Sequence, residues 1–193
     1  QGFEVEFASF DFDALIPALK SDSADIVIAG MNITPERAKQ VDFSDSYYKT
    51  GVVLLVKKDS TKITGWDSFT NGSGLKVAAQ TGTLQADIAN KLKDEGKVSS
   101  VSVLNQNTTA LQQLENGDVD AVLVDKPVAV DISASQGDKF KMVGDIKPDS
   151  ITDNGIAVKK GNKELLKKIN AGLKHVKENG TYDKLAKKWK IEQ

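Results

Sequence analysis

The sequence contains no cysteine, and its only histidine is His175. The absence of cysteine excludes disulfide bonds and thiolate metal sites, although it says little about the compartment in which the protein works. A single histidine cannot build the cluster of imidazole ligands that holds a zinc ion. We therefore predict a protein that works without a metal or any other cofactor.

Long apolar runs and an excess of charge of one sign are also absent. No run approaches the roughly twenty apolar residues that a helix needs to span a bilayer. A net charge of −1 argues against nucleic acid as a partner. The 193 residues are 39% apolar and 27% charged, which is typical of globular proteins with one large or two small domains.

The most informative stretch is residues 29–48, AGMNITPERAKQVDFSDSYY. It follows a β-branched run at 25–28 that predicts a buried strand. Gly30 interrupts that run, and Thr34-Pro35 then has the features of a helix start. Threonine accepts from the free amides of the first turn, and proline at the first helical position loses no needed donor.

This stretch also carries charge chemistry suited to a small zwitterion. The first turn of a helix attracts anions, and Arg37 has a planar fork that can bind a carboxylate through two hydrogen bonds. Gly30 lets a ligand approach the backbone, and oxygens of Gly30 and Asn32 are suited to accept from an ammonium group. The alternative is an ordinary capped helix with a solvated arginine.

The rest of the chain predicts alternating strands and helices. Alternation of Phe3, Val5 and Phe7 predicts a strand over 1–9, and a short amphipathic helix follows over 12–19. Short apolar runs alternate with helical patterns over 75–143, which predicts βα units and a parallel sheet. Two amphipathic helices close the chain, and their many lysines are interpreted as a solvated outer face.

Two places in this second block lie at the ends of predicted strands. The turn from Gln80 to Thr83 lies between a strand and a helix, where anions are often bound, but capping of the helix by Thr83 is the simpler alternative. Asp125 follows a buried apolar strand, and its place before Lys126-Pro127 is that of a cap for the next helix.

The stretch at 29–48 resembles the polar amino-acid-binding proteins of ABC importers, the family-3 solute-binding proteins. The family signature is G-x-x-I-T-x-E-R followed by a hydrophobic residue and D-F-S-x-x-Y-Y. It is matched here by Gly30, Ile33, Thr34, Glu36, Arg37, Val41, Asp42, Phe43, Ser44, Tyr47 and Tyr48. The resemblance covers essentially the whole chain.

The resemblance implies an α/β fold of the periplasmic-binding-protein type II class, in which two α/β lobes are joined by a two-strand hinge. Lobe 1 would comprise 1–48 and 155–193, and lobe 2 would comprise 52–149. The hinge strands would lie at about 47–54 and 148–155. Ligands of such proteins bind in the cleft between the lobes.

The resemblance also implies roles for individual residues. Asp125 matches the aspartate that pairs with the ligand's α-ammonium, and the Gln80–Thr83 turn matches a T-G-T turn whose amides meet the α-carboxylate. Leu84 departs from the small or hydroxylic residue usual at its place. Phe12 matches an aromatic that stacks on the ligand's side chain, the alternative being a core residue, and Gln80 would help to select that side chain. The predicted ligand-binding residues are Phe12, Gly30, Asn32, Arg37, Gln80, Thr83 and Asp125.

The predicted function is capture of a polar L-amino acid, glutamine- or arginine-like, for delivery to an ABC permease, without catalysis. The resemblance implies a periplasmic or extracytoplasmic location, with a cell-surface lipoprotein or a permease-fused form in Gram-positive bacteria. Two alternatives stay open. One is an enzyme on the same fold, resembling cyclohexadienyl dehydratase, and the other is a ligand-sensing receptor domain.

One departure from the family concerns the first lobe. Members of the family begin with a further strand and helix, which this sequence lacks, and those elements contribute an acid and an aromatic to the site. Losing a central strand would expose backbone hydrogen-bonding groups and apolar surface. We therefore expect a destabilised first lobe, or its completion by oligomerisation or domain swapping.

Overall fold

The computed structural model describes residue 2, residues 4–189 and residue 191. Contacts between residues divide the chain into two units: Gln1–Lys49 with Thr152–Gln193, and Thr50–Ile151. The chain thus passes from one unit to the other twice. In the described part of the chain, no helix combines the length and apolar character needed to cross a membrane.

Strands and helices alternate along most of the described chain. The strands are β1 (Ile26–Val27), β2 (Val41–Phe43), β3 (Tyr48–Thr50), β4 (Val52–Lys57), β5 (Lys76–Gln80), β6 (Ser100–Leu104), β7 (Ala121–Asp125), β8 (Phe140–Val143), β9 (Thr152–Asn154) and β10 (Ala157–Lys159). The α-helices are α1 (Leu15–Lys20), α2 (Pro35–Ala38), α3 (Leu84–Asp94), α4 (Asn107–Asn116), α5 (Lys126–Ser135), α6 (Lys163–Glu178) and α7 (Thr181–Lys188). Short 3₁₀ turns lie at Phe12–Ala14, Trp66–Ser68 and Pro148–Ser150.

The second unit is built on a five-stranded sheet in the order β6-β5-β7-β4-β8. Strand β5 runs parallel to both β6 and β7, whereas β4 runs antiparallel to β7 and to β8. The sheet is covered on both faces, and the interior strand β4 is accordingly apolar from Val52 to Val56. Its side chains alternate between two clusters, with Val52 and Leu54 on the face covered by α3, and Val53 and Leu55 on the face covered by α4 and α5.

The first unit has a smaller sheet in the order β1-β10-β2, in which β10 is antiparallel to both neighbours. Strands β3 and β9 form a separate two-stranded sheet. Leu15 and Leu19 of α1 pack on one face of the three-stranded sheet, together with Val27 and Met31. Ile169 of α6 packs with Val158 in a second apolar cluster.

The parallel sheet predicted over 75–143 is confirmed for β5, β6 and β7. The strands outside that range differ, because β4 and the three-stranded sheet of the first unit pair in antiparallel fashion. Strand β4 follows the first crossing between the units, and it lies between β7 and β8 and is antiparallel to both. Strand β10 follows the second crossing, and it lies between β1 and β2 and is antiparallel to both. Hydrophobic periodicity identifies strands but contains no information about this insertion.

The strand predicted over 1–9 is wrong within the described residues. Residues 4–11 form no helix or strand, and Phe7 and Val5 are 95% and 65% exposed. Phe3 lies outside the described residues. An alternating pattern predicts a strand only where a neighbouring strand supplies the hydrogen bonds, and no described strand pairs with this segment.

Candidate functional site

The helix start predicted at Thr34 is confirmed. Thr34 has an extended backbone (φ −120°, ψ 155°), and its Oγ1 accepts from the backbone amide of Arg37 at 3.2 Å. Pro35 occupies the first turn, where its missing amide hydrogen has no cost. This cap fixes the direction in which the short helix α2 presents Arg37.

The guanidinium of Arg37 is oriented by two neighbours within the first unit. Its Nη1 donates to the carbonyl oxygen of Asn32 at 2.9 Å, and its Cζ lies 5.4 Å from the centroid of the Phe12 ring. The ring in turn packs on the apolar cluster that includes Leu15 and Leu19. Phe12 therefore supports the arginine through a cation–π contact, and its predicted contact with a ligand stays a prediction.

Asn32 lies beside this arginine and is 2% exposed. Its side-chain Nδ2 donates to Oδ1 of Asn154 at 2.9 Å, and the backbones of these two residues form an isolated antiparallel bridge. The neighbouring Ile33 extends the pairing, because its amide donates to the carbonyl of Asp153 at 2.8 Å. Asn32 thus joins the arginine to a segment more than a hundred residues further along the chain.

Gly30 adopts a backbone conformation that favours glycine, with φ at +61°. Its amide donates to the hydroxyl of Tyr47 at 3.1 Å, and a Cβ added at Gly30 would lie 3.8 Å from Nδ2 of Asn154. Tyr47 is itself held by Tyr182, whose hydroxyl donates to the Tyr47 carbonyl. Burial raises the pKa of Tyr182, so its hydroxyl stays protonated to a higher pH than that of an exposed tyrosine.

In the second unit, Gln80 ends strand β5 and is engaged at both ends of its amide. Its Nε2 donates to the carbonyl of Asn105 at 2.8 Å, and its Oε1 accepts from Nδ2 of Asn107 at 3.3 Å. These bonds tie the end of β5 to the segment that leads into α4. The predicted role of Gln80 in choosing a ligand side chain stays a prediction.

Thr83 caps helix α3, as its alternative interpretation anticipated. Its Oγ1 accepts from the amide of Ala86 at 3.2 Å and donates to the carbonyl of Gln80 at 2.6 Å, and the residue is 7% exposed. The hydroxyl therefore has one donor bond and one acceptor bond inside the unit. Any contact that this turn makes with a carboxylate is left to its backbone amides, the groups that the family resemblance implies for the Gln80–Thr83 turn.

Asp125 is the last residue of β7 and occupies the position before helix α5. The alternative that it caps this helix is wrong, since its side chain makes no capping bond among the described residues. Strands β5 and β7 are adjacent and parallel, so their carboxyl ends meet at one edge of the sheet. Asp125 and Gln80 therefore lie at the same edge within the second unit.

The structure thus forms two groups from the predicted residues. In the first unit, hydrogen bonds and the cation–π contact connect Phe12, Gly30, Asn32 and Arg37 through Tyr47 and Asn154. In the second unit, Gln80 and Thr83 are bonded to each other, and Asp125 lies at the same sheet edge.

Two residues of the site were missed by the reasoning from sequence: Asn154 was not singled out, and Tyr47 was noted only as part of a motif. The sequence also contains a single arginine, Arg37, against twenty-five lysines. That contrast was a usable signal, because arginine and lysine are not interchangeable where a planar fork is needed.

Comparison with protein families supports the resemblance seen in the sequence. A family model described as bacterial extracellular solute-binding proteins, family 3, matches residues 1–192. The arginine-binding extracellular protein ArtP of Bacillus subtilis is 36% identical over 191 residues, which are 97% of this chain and 71% of that protein. The glutamine-binding protein GlnH of an ABC transporter from the same organism is 36% identical over 186 residues, which are 96% of this chain and 65% of that protein.

Solved structures agree with this result. An ancestral arginine-binding protein bound to arginine superimposes with a TM-score of 0.88 at 42% identity, covering 97% of this chain and 81% of that one. The ancestral amino acid-binding protein AncCDT-1, a precursor of cyclohexadienyl dehydratase, gives a TM-score of 0.86 at 39% identity. The match covers 97% of this chain and 78% of that one. The α/β fold of the periplasmic-binding-protein type II class is confirmed. The chain belongs to the bacterial extracellular solute-binding proteins of family 3.

Proposed function

We propose that this protein binds a free polar L-amino acid, arginine- or glutamine-like, and delivers it unchanged to an ABC permease. The observation that carries the proposal is the fixed guanidinium of Arg37, held by the Asn32 carbonyl at 2.9 Å and by the Phe12 ring. An oriented guanidinium binds a carboxylate at a lower entropic cost than a mobile one. The names of the relatives, which bind arginine or glutamine, supply the ligand class.

The proposal divides the ligand between the two units. Arg37 and the amides near Thr83 bind the α-carboxylate, and Asp125 binds the α-ammonium together with oxygens of Gly30 and Asn32. Phe12 and Gln80 contact the side chain. The two crossings of the chain, at 47–54 and 148–155, act as a hinge between the lobes 1–48 with 155–193 and 52–149. Ligand binding then favours the closed state that a permease recognises.

Calorimetric titration of the whole chain with L-arginine and L-glutamine tests the proposal. We expect Arg37→Lys to weaken binding by about a hundredfold or more, because an ammonium cannot supply the paired bonds of the guanidinium. Lys39→Ala is the matched control, since it removes a positive charge at the end of the same helix. Unchanged affinity in Arg37→Lys, or no binding of either amino acid by the wild type, would contradict the proposal.

The rival function is an enzyme on the same fold, and the similarity to a precursor of cyclohexadienyl dehydratase is the reason to test it. Incubation with prephenate-like acids, followed by product analysis, measures that activity directly. We expect no turnover under conditions in which amino acids bind. A ligand-sensing receptor domain would bind the same amino acids, and only the full gene product distinguishes it from a transport protein.

We further propose that the protein works outside the cytoplasm, as members of its family do. Three forms stay open: a free protein, a lipid-anchored protein and a domain fused to a permease. Oligomerisation or domain swapping stays a prediction. Light scattering on the purified chain measures its mass in solution, and a compact monomer with a cooperative thermal transition would contradict that prediction.

A further inference from the structure

Asn154 contacts Gly30 and Asn32, the two residues of the first unit to which the proposed function assigns the ligand's ammonium group. It is 3% exposed, and its Oδ1 accepts from Nδ2 of Asn32 at 2.9 Å. Its own Nδ2 lies above Gly30, 3.8 Å from the point where a Cβ on that glycine would be. Its carbonyl accepts from the amide of Tyr47 at 3.0 Å, and the Tyr47 hydroxyl accepts from the amide of Gly30.

Three hydrogen bonds link Gly30 to Tyr47, Tyr47 to Asn154 and Asn154 to Asn32, and the backbone through Met31 joins Asn32 back to Gly30 and closes a circuit. These bonds restrain the positions of Gly30 and Asn32 relative to each other. Rigid placement of binding groups reduces the ordering that a ligand must otherwise cause. The circuit therefore has the properties of a support for a binding site.

The bond from Asn32 to Asn154 also sets the orientation of the Asn32 amide. A side-chain amide has an accepting oxygen at one end and a donating nitrogen at the other. With Nδ2 committed to Asn154, the oxygen Oδ1 is directed away from Asn154. Rotating the amide by a half turn would bring two carbonyl oxygens together and lose a buried hydrogen bond. Asn154 thus keeps Asn32 as an acceptor on its other side.

The bond between the two side chains is not needed to hold the two segments together. The backbone already joins them, because the amide of Ile33 donates to Asp153 at 2.8 Å and that of Gly155 donates to Met31 at 3.1 Å. An apolar pair of similar shape at a buried position can be neutral or favourable for stability. Because the bond is not needed to join the segments, its role lies in the orientation that it gives to the Asn32 amide.

We propose that Asn154 is a positioning residue, which holds the Asn32 amide so that its Oδ1 accepts a hydrogen bond from the ligand's α-ammonium. This inference rests on the proposed function, because it needs an amino-acid ligand. It adds a residue outside the matched signature motifs, and it assigns to Asn154 an effect on one end of the ligand only.

The test compares two ligands that differ only in the ammonium group: L-arginine and 5-guanidinopentanoate, which keeps the carboxylate and the guanidinium. We expect Asn154→Leu to weaken arginine binding by about tenfold and to change binding of the des-amino compound by less than about twofold. Asn154→Asp keeps an accepting oxygen for Asn32 and should bind arginine more tightly than Asn154→Leu does. A merely structural role would weaken both ligands equally.

A double-substitution cycle gives a second readout. If Asn154 acts through Asn32, adding Asn154→Leu to Asn32→Ala should cause no further loss of arginine affinity. Equal losses for both ligands, or additive losses in the cycle, would overturn the inference while the proposed function stands. A wild type that binds neither arginine nor glutamine would overturn both. Thermal unfolding of each variant confirms that the chain is folded.

Discussion

Lys163 and Asp42 form an ion pair in the first unit, with 2.8 Å between Lys163 Nζ and Asp42 Oδ2, and the pair joins strand β2 to the first turn of α6. The Asp42 side chain is 8% exposed and also accepts from Lys160 at 2.9 Å and from the amide of Gly161 at 2.9 Å. The hydrogen bond from Lys163 makes the largest contribution, followed by that from Lys160, and together they hold the pKa of this carboxyl well below its ordinary value of 3.8. Asp42 is therefore a structural anchor within the D-F-S motif.

This pKa shift predicts a pH dependence of stability. A carboxylate whose pKa is lower in the folded state stabilises the protein fully above its unfolded pKa, and that contribution is lost as the pH falls towards the folded value. We expect Asp42→Asn to lower the free energy of unfolding at pH 7 by about 2 kcal/mol. The difference from the wild type should shrink steadily below about pH 4.

Urea unfolding at pH 7 and pH 3 measures this difference. Asp22→Asn is the matched control, because Asp22 pairs with Lys159 in the same unit but its side chain is 71% exposed. An exposed pair contributes little, so the control should change the free energy of unfolding by less than about 1 kcal/mol. A difference for Asp42→Asn that is the same at both pH values would refute the explanation.

A second prediction concerns Gly144, which follows strand β8. Its φ is +69°, and an added Cβ would lie 2.9 Å from the Cα of Gly65, a backbone atom that cannot move aside cheaply. Gly144→Ala should therefore combine conformational strain with a steric clash. We expect the free energy of unfolding to fall by about 2 to 4 kcal/mol.

Gly161→Ala separates the two causes, because its φ of +90° is strained in the same way while nothing lies within 4 Å of the added Cβ. It should cost about 1 to 2 kcal/mol. Thermal or denaturant unfolding of both variants gives the comparison. If the two substitutions were equally destabilising, the close approach of Gly144 to Gly65 would not matter.

The parts of the site that were predicted from sequence depend on local chemistry. The Thr34 cap depends on Arg37, which is only three residues away. The position of Asp125 follows directly from the end of the apolar strand β7. Such arrangements are specified by short segments of chain, so a single sequence contains enough information to find them.

The parts that were missed depend on contacts between distant segments. Asn154 meets Asn32 across 122 positions, and Gln80 is bonded to Asn105 and Asn107, about 25 positions further on. The short strand β9 has no strand signal of its own in the sequence, because Thr152–Asn154 is polar and has no period of two. Its pairing with β3 arises only when the chain returns to the first unit.

The last prediction separates two roles of Thr83. Its hydroxyl caps α3 by accepting from the amide of Ala86 at 3.2 Å. Thr83→Val removes this cap and should lower the free energy of unfolding by about 1 kcal/mol. Thr83→Ser keeps the cap and should be about as stable as the wild type. Under the proposed function the backbone amides of this turn bind the ligand's carboxylate, so both variants should retain arginine affinity within about threefold. Calorimetric titration beside thermal unfolding measures both quantities. A folded Thr83→Val protein with a much larger loss of affinity, restored in Thr83→Ser, would instead assign the ligand contact to the hydroxyl.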